Sequence, residues 1–286
     1  MLLPAQEAIS MLALDRQSQP VPDLKADEIQ LFDNGQRQPM ASFGHLSNPS
    51  ASHTAILYDL LNIATGARGN VPRQIAQAMQ QVEGKASIHL YLLAADGVIT
   101  PVGGAGNIEM RLDNTMYNIS VIRPKHLDPI GARVKATYEA IGELYKTMAA
   151  ESGRKTIVWI THGVPTSAIS TSGTPVDYMP TLKKFASGLG REQVVIYPVQ
   201  QTVRADGQPN DSSRDTLRQF ADLTGGRLYP NGTIGDAVTE AIRDTAASYV
   251  LTYTPKSDGK FHALRVTCTR PGTRIQTRQG YFADSR

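Results

Sequence analysis

The sequence has few of the residues that build disulfides, metal clusters and aromatic surfaces. It contains one cysteine, Cys268, and one tryptophan in 286 residues. A single cysteine excludes an intrachain disulfide and a cysteine-based zinc cluster, so we expect Cys268 to be a small apolar filler in a strand. No hydrophobic run reaches the length of a membrane span, and the first residues lack the basic start and long apolar stretch of an export signal. We therefore expect no membrane span.

Excess charge and enzyme motifs are absent as well. The 29 basic and 26 acidic residues leave a formal net charge of +3, too small and too dispersed to indicate nucleic acid or an anionic membrane as a partner. There is no Gly-x-Ser-x-Gly nucleophile elbow, and the glycines of residues 103–106 are not followed by the Lys-Ser/Thr pair of a phosphate-binding loop. We expect neither an enzyme nor a bound cofactor.

The most informative features present are two apolar segments, residues 55–59 and 156–163, that each lead into a polar residue. Continuous apolar runs are typical of strands buried on both faces of a parallel sheet. Such sheets bind their ligands just beyond the carboxyl ends of the strands. Asp59 and His162, where these runs end, are therefore candidate functional residues.

Residues 53–247 alternate between helix and strand patterns. Apolar residues at near 3.6-residue spacing predict helices over residues 71–82, 134–148 and 234–246, and apolar runs predict strands over 88–93, 98–102, 194–199 and 227–229. Only residues 94–97 join two of these strands, which is too short for a crossover helix, so the pair should be an antiparallel hairpin. Thr224, Gly225 and Gly226 should end a helix. These patterns indicate an α/β fold with a mainly parallel sheet and one antiparallel edge strand.

Both chain ends are predicted to be β structure. In residues 1–50, Asn34-Gly35 separates strand-like residues 28–32 from 38–43, as in a β-hairpin. Residues 249–286 contain strand patterns over 249–254, 261–269 and 273–282. Because two or three strands alone are marginally stable in water, we expect both ends to form one small β-sandwich. The predicted units are 1–50 and 249–286 as a β module and 53–247 as the α/β domain, with a linker over 48–52.

Several segments resemble one known family. They are residues 24–35 (LKADEIQLFDNG), 153–161 (GRKTIVWIT), 224–229 (TGGRLY), 248–253 (SYVLTY) and 278–282 (RQGYF). In this order they resemble the acidobacterial family of von Willebrand factor A-related proteins, over roughly residues 20 to 283. The resemblance implies a Rossmann-like von Willebrand factor A domain, an extracytoplasmic location in a bacterium, and adhesion or protein binding as the activity.

The wider fold implies a metal-ion-dependent adhesion site. In such a site an Asp-x-Ser-x-Ser run, a threonine and a later aspartate hold magnesium. Magnesium is a hard ion that takes oxygen ligands. Asp59 matches the first position, but Leu61 and Ile63 occupy the serine positions and His162 stands at the later aspartate. Residues 102–106 offer no threonine. We therefore interpret the site as degenerate and expect no bound metal.

A different metal has little support either. One carboxylate and one imidazole suit only a weak zinc or copper contact, and His53, Asp113 and Asn62 cannot be placed as further ligands from sequence. The structural alternative is that Asp59 and His162 form a hydrogen-bonded pair on adjacent strands.

The sequence thus favours a non-enzymatic protein-binding or adhesion module that acts without metal. The alternative is a hydrolase or transferase that uses Asp59 and His162, and a third reading is an extracytoplasmic structural component with a vestigial site. The predicted binding surface lies at the carboxyl end of the sheet. Its residues are Asp59, Leu61, Asn62, Ile63, Gly104, Thr161, His162 and Pro165, with residues 164–177 beside them.

Overall fold

The central element of the molecule is a five-stranded sheet. The computed structural model describes residues 6–45, 53–62, 70–83, 87–122, 130–149, 154–169, 172–201, 211–229 and 233–283. The sheet consists of β5 (His53–Asp59), β6 (Ser87–Leu93), β7 (Ile99–Pro101), β8 (Lys155–Thr161) and β11 (Val194–Gln200). Their spatial order is β7-β6-β5-β8-β11.

This order is that of a doubly wound sheet, with the first strand of the unit in the middle. β5 pairs in parallel with both β6 and β8, and β8 pairs in parallel with β11. β7 runs antiparallel to β6, which confirms the predicted antiparallel edge strand. The strand predicted over 227–229 is reduced to a single parallel bridge between Tyr229 and Val199.

Helices cover both faces of this sheet. They are α1 (Val71–Gln81), α2 (Ile108–Ile122), α3 (Ile130–Ala149), α4 (Met179–Arg191), α5 (Asp211–Thr224) and α6 (Ile234–Ala246). Helices α3, α4 and α5 share one apolar core with the face that carries Trp159, and α1, α2 and α6 share another with the opposite face. The three predicted helices are confirmed, and Gly225, at φ +83°, ends α5 as expected.

The chain ends form a β-sandwich. One sheet has the order β14-β1-β12-β4 and the other β15-β13-β2-β3. The strands are β1 (Glu7–Leu14), β2 (Ile29–Asp33), β3 (Gln36–Gln38), β4 (Ser42–His45), β12 (Tyr249–Tyr253), β13 (Phe261–Cys268), β14 (Arg274–Thr277) and β15 (Gly280–Phe282). Residues from both ends share one apolar core. The expected architecture, a Rossmann-like α/β domain with a mainly parallel sheet and one antiparallel edge strand, accompanied by a small β-sandwich, is therefore confirmed.

Details of the β module differ from the predictions. β2 and β3 form the predicted hairpin, with Asn34 and Gly35 at φ 48° and 77°. Residues 38–43, predicted as one strand, are divided between β3 and β4. β1, which pairs with β12 on one side and β14 on the other, was not predicted. Residues 48–52, the predicted linker, lie outside the described residues, and the domain boundaries stay predictions.

The strand predicted over residues 273–282 is broken in the structure. β14 and β15 belong to different sheets. Between them the Arg278 side chain turns inward to the carboxylate of Glu7, and the Gln279 N–H donates to the Asp222 carbonyl at 2.8 Å. This break docks the sandwich on α5.

None of the helices in the described ranges is long and apolar enough to cross a membrane.

Candidate functional site

Asp59 lies at the carboxyl end of β5 as the centre of a hydrogen-bond network. Its Oδ1 accepts from the backbone N–H groups of Leu61 and Asn62, each at 3.0 Å. Its Oδ2 accepts from Asn62 Nδ2 at 2.8 Å, Thr161 Oγ1 at 2.7 Å and Trp159 Nε1 at 3.2 Å. Both carboxylate oxygens therefore have donors, and the side chain is fully buried.

Strand geometry brings these donors together. β5 and β8 are adjacent and parallel, so their carboxyl ends reach the same edge of the sheet. Trp159 and Thr161 are two residues apart on β8 and so point to the same face, the face to which Asp59 also points. The doubly wound order changes direction between these two strands, which is where ligands of such sheets bind. The network thus occupies the position at which a functional site is expected.

Burial has the largest effect on the pKa of the Asp59 carboxyl. Burial raises the pKa of the Asp59 carboxyl above its ordinary value, and the hydrogen bonds from Asn62, Thr161 and Trp159 oppose this shift. These hydrogen bonds stabilise the ionised form without any cation. The sequence indicated Asp59 and Thr161, but Trp159 was missed, although the two-residue spacing of β8 could have placed it beside Thr161.

Asn62 links the network to the helix layer. Its Nδ2 donates to Asp59 Oδ2 and also to Thr137 Oγ1, at 2.9 Å. Thr137 is a fully buried residue of α3, and its hydroxyl donates to the Arg133 carbonyl at 2.8 Å. The turn after β5 is thereby held against α3 by side-chain hydrogen bonds. Thr137 was not predicted, because nothing in the sequence shows which face of α3 meets this turn.

His162 does not form the pair with Asp59 that was the structural alternative. Asp59 is satisfied by Asn62, Trp159, Thr161 and backbone groups, and the Nε2 of His162 is buried with no hydrogen-bond partner among the described residues. The physical reason is position, because β8 ends at Thr161, which already donates to Asp59, and His162 lies in the bend that follows the strand. Burial lowers the pKa of His162 below its ordinary value, so the imidazole is neutral at pH 7.

The residues at this edge do not fit a magnesium ion. Both oxygens of Asp59 accept hydrogen bonds, and Leu61 at the next ligand position packs into the core with 5% exposure. Within the described residues, no group of three or more His, Cys, Asp or Glu side chains could hold a metal ion. His53 begins β5, at the end of the strand opposite Asp59, and Asp113 lies on α2.

The remaining predicted residues are spread over different places. Pro165 is half-buried in the segment after β8. Ile63 lies outside the described residues. Gly104 is exposed in the loop after β7, and the neighbouring Gly106 lines a cavity with Val82 and Ile88, at the amino end of β6. Because β7 runs antiparallel, it carries the chain away from the carboxyl edge, and the structure does not bring Gly104 to Asp59.

A small hairpin projects from the segment after β8. It consists of β9 (Ser167–Ile169) and β10 (Pro175–Asp177), which pair antiparallel. The segment is anchored by Val164, which is fully buried, and by the Tyr178 N–H, which donates to the Thr166 carbonyl at 2.8 Å. Ile169 is 67% exposed. The carboxyl edge therefore combines a fixed polar network with an exposed apolar side chain.

A second buried polar cluster lies in the β-sandwich and was not predicted. His262 Nδ1 lies 2.7 Å from Asp33 Oδ1, and its Nε2 lies 3.0 Å from Asp258 Oδ1. Asp33 Oδ2 accepts from the hydroxyls of Tyr253 and Tyr281, at 3.0 and 3.2 Å. These residues come from β2, β12, β13 and β15 and the turn before β13. The cluster joins strands from both chain ends.

Comparisons with known proteins give distant structural likenesses alone. No protein-family model matches the sequence, and no curated protein matches it. An aerotolerance-related membrane protein from Bacteroides fragilis, with multiple mutations to serines, is 13% identical with a TM-score of 0.39, covering 68% of this chain and 98% of that chain. The ArnB paralog VWA2 from Sulfolobus acidocaldarius is 10% identical with a TM-score of 0.40, covering 98% of this chain and 76% of that chain.

A third solved structure contains three N-terminal domains of the type V pili tip protein Mfa5 from Porphyromonas gingivalis. It is 8% identical with a TM-score of 0.39, covering all of this chain (100%) and 68% of that chain. Identities and TM-scores this low say nothing about function. The fold assignment rests on the strand order and register of the chain itself.

Proposed function

We propose that the protein is a non-enzymatic protein-binding module that contacts another protein at the carboxyl edge of its central sheet, without a metal ion. The observation that carries this proposal is the combination of the hydrogen-bonded Asp59 network with the projecting β9–β10 hairpin. The network fixes the turn after β5, and the hairpin presents Ile169 to solvent. Residues on rigid elements at a sheet edge are well placed for recognition.

Within this surface the residues have different roles. Asp59, Thr161 and Leu61 are buried, so they hold the shape of the edge. Asn62, His162 and Pro165 are partly exposed and, with Ile169, supply contacts to the partner. Recognition then rests on apolar contact and neutral hydrogen bonds, because the residues at this edge do not fit a cation that could capture a carboxylate of the partner.

The geometry gives the enzymatic alternative no support. A carboxylate nucleophile or base needs a lone pair directed at substrate. Both oxygens of Asp59 accept hydrogen bonds, the side chain is fully buried, and the Nε2 of His162 makes no hydrogen bond to it. The site is therefore better suited to holding a surface than to a reaction.

We also infer that the chain is a member of the acidobacterial von Willebrand factor A-related family with a degenerate metal site. Support comes from contacts between the segments of the resemblance. Buried Arg154 of segment 153–161 donates to the hydroxyl of Ser248, which begins segment 248–253. Fractionation of the native cell tests the extracytoplasmic location that this membership implies, and recovery in the cytoplasmic fraction would contradict it.

The binding proposal is tested by capture of partners from the native envelope fraction. The immobilised protein is compared with Ile169→Asp, His162→Ala and Asn62→Ala, each first shown to be folded by Trp159 fluorescence. Val121→Asp is the matched control, because Val121 is 61% exposed on α2. We expect a protein that the wild type and Val121→Asp retain, that Ile169→Asp loses, and that a chelator does not release. If Ile169→Asp and His162→Ala retained the captured protein as well as the wild type does, the proposal would be contradicted.

A further inference from the structure

A cavity lies where the α/β domain meets the β-sandwich, on the side of α5. Its volume is about 490 Å³. The walls come from α5, from the segment 226–228 that follows it, and from β13 and β14. Gln276 of β14 donates through Nε2 to the carbonyls of Gly225 and Gly226, at 3.1 Å each, and closes one side. The size is within the range of sites for small ligands, roughly 300 to 1,000 Å³.

The lining of this cavity is strongly basic. It contains a single carboxylate, Asp222, and six arginines, which are Arg214, Arg218, Arg227, Arg265, Arg274 and Arg278. Two of them are neutralised elsewhere. Arg227 forms ion pairs with Glu240 and Asp244, at 2.8 and 2.7 Å, and Arg278 binds Glu7.

The other four arginines have no carboxylate partner within hydrogen-bonding distance in the described part of the chain. Arg214 and Arg218 are one helical turn apart on α5, and Arg265 and Arg274 face them from β13 and β14. Arg218 is near Asp222. Burial raises the pKa of the Asp222 carboxyl, and the positive charge of Arg218 opposes that shift. Like charges gathered in this way repel one another, and a bound anion would remove the repulsion.

Two features prepare the cavity for a ligand. The guanidinium carbon of Arg265 lies over the Phe32 ring, 4.3 Å from its centroid, which limits the freedom of that side chain. Arg278, which is only 2% exposed, has Nε and Nη1 groups that are buried without hydrogen-bond partners among the described residues. Buried polar groups are normally satisfied, so Arg278 has unused hydrogen-bond donors beside the cavity.

We propose that this arginine-lined cavity binds a small anion that carries two or more phosphate groups. The guanidinium fork matches phosphate oxygens in a bidentate manner. One phosphate monoester carries about −1.5 to −2 charges at pH 7, so a diphosphate matches the charge of Arg214, Arg218, Arg265 and Arg274. The cavity shares no residue with the Asp59 network or the β9–β10 hairpin, so this site is separate from the proposed protein-binding edge.

The test is isothermal titration of the full chain with pyrophosphate, compared with inorganic phosphate and with hexaglutamate at equal ionic strength. We expect pyrophosphate to bind with the highest affinity. The double variant Arg218→Gln/Arg274→Gln should weaken binding about 100-fold, since each lost charge-assisted bond is worth about tenfold or more. Arg218→Lys/Arg274→Lys should recover part of this loss, because it restores charge without the fork.

The matched control is Arg73→Gln/Lys183→Gln, which removes the same charge from exposed positions on α1 and α4. This control should change the affinity for pyrophosphate by no more than about twofold relative to the wild type, because exposed charges act only weakly over long distances. The proposal is overturned if pyrophosphate does not bind, if the control weakens binding as much as the cavity variant does, or if hexaglutamate binds as tightly with the same dependence on Arg218 and Arg274. The last result would assign the cavity to an acidic polypeptide.

Discussion

Asp59 joins the carboxyl ends of two neighbouring strands through a network of hydrogen bonds. In a metal-ion-dependent site a cation joins side chains of separate loops, whereas here the carboxylate itself joins the turn after β5 to β8. A buried carboxylate in this position needs hydrogen-bond donors around it. The chain supplies them as backbone N–H groups, the Asn62 amide, the Thr161 hydroxyl and the Trp159 indole.

Replacing Asp59 by asparagine should destabilise the protein by about 2 to 4 kcal/mol. The amide can present only one oxygen, so buried donors such as Trp159 Nε1 lose their acceptor, at about 1 to 3 kcal/mol each. Guanidinium unfolding, followed through the only tryptophan, measures the change in the free energy of unfolding. Asp113→Asn on exposed α2 is the control. A change in Asp59→Asn no larger than that of the control would show that the network is not stabilising.

Magnesium should not stabilise the folded protein. A ligand that binds only the native state adds RT ln(1 + [L]/Kd), roughly 2.7 kcal/mol at a hundredfold excess over Kd. Since both oxygens of Asp59 already accept hydrogen bonds, we expect the melting temperature to be the same in millimolar MgCl₂ and in NaCl of equal ionic strength. A rise that Asp59→Ala abolishes would contradict this prediction.

At the level of secondary-structure elements, close approach of backbones fixes how α5 meets the sheet. After Gly225 ends the helix, Gly226 passes so near β11 that an added Cβ would lie 1.9 Å from the Ile196 carbonyl oxygen. The Gly226 N–H also donates to the Ala221 carbonyl at 2.8 Å. The two glycines therefore have different roles: Gly225 supplies a positive φ, and Gly226 supplies space.

Gly226→Ala should cost about 2 kcal/mol or more, because the methyl group displaces the chain from β11. The matched control is Gly188→Ala within α4, where no atom lies within 4 Å of an added Cβ. That control should be neutral or more stable by up to about 1 kcal/mol, since alanine favours the helix. Urea denaturation of both variants measures the difference. Equal stabilities would show that β11 can move to accept the methyl group.

The cluster around His262 should make stability depend on pH. Burial alone lowers the pKa of His262, but its hydrogen bonds to Asp258 and Asp33 and their charges outweigh burial, so the pKa is raised. A raised histidine pKa gives stability that is fully present below the unfolded value of about 6.5 and is lost as pH rises through the folded value.

Asp258→Asn removes one of the charges that raise this pKa while it leaves Asp33 in place. The difference in melting temperature between the wild type and Asp258→Asn should therefore be larger at pH 6 than at pH 8.5. Asp96→Asn, another turn aspartate that accepts a backbone N–H two residues on, serves as control. If the difference were the same at both pH values, His262 would not be the titrating group.

The whole molecule is held together by contacts between the sandwich and the α/β domain. Arg191 of α4 pairs with Glu7 at 3.3 Å, and the Phe282 N–H donates to the Ser187 hydroxyl at 2.9 Å. Within the sandwich, β1 lies between β12 and β14. The two chain ends therefore depend on each other and on α4.

Cleavage of the chain between residues 45 and 53, at an inserted protease site, should leave the two pieces associated. The amino-terminal piece supplies strands to both sheets of the sandwich and cannot fold alone. Native size-exclusion chromatography should show one complex, which separates only in denaturant. An amino-terminal fragment that elutes alone and folded would contradict this, and would also show that residues 1–50 and 249–286 are not one module.

Local patterns in the sequence determined a large part of this fold. The spacing of apolar residues predicted α1, α3 and α6, the short link 94–97 predicted the antiparallel β7, and Asn34-Gly35 predicted the β2–β3 hairpin. These features depend on neighbours in the chain, where side-chain periodicity and turn chemistry act directly. The same patterns placed Asp59 at the end of a buried strand.

Only the tertiary structure decided which distant residues meet. It paired Asp59 with Trp159 and Thr161, left the His162 imidazole out of that network, and led the chain at Gly104 away from the carboxyl edge along the antiparallel β7. The arginine-lined cavity likewise combines α5 with β13 and β14, which a nearly neutral overall composition does not reveal. Long-range contacts of this kind depend on strand register and docking, so no local pattern specifies them.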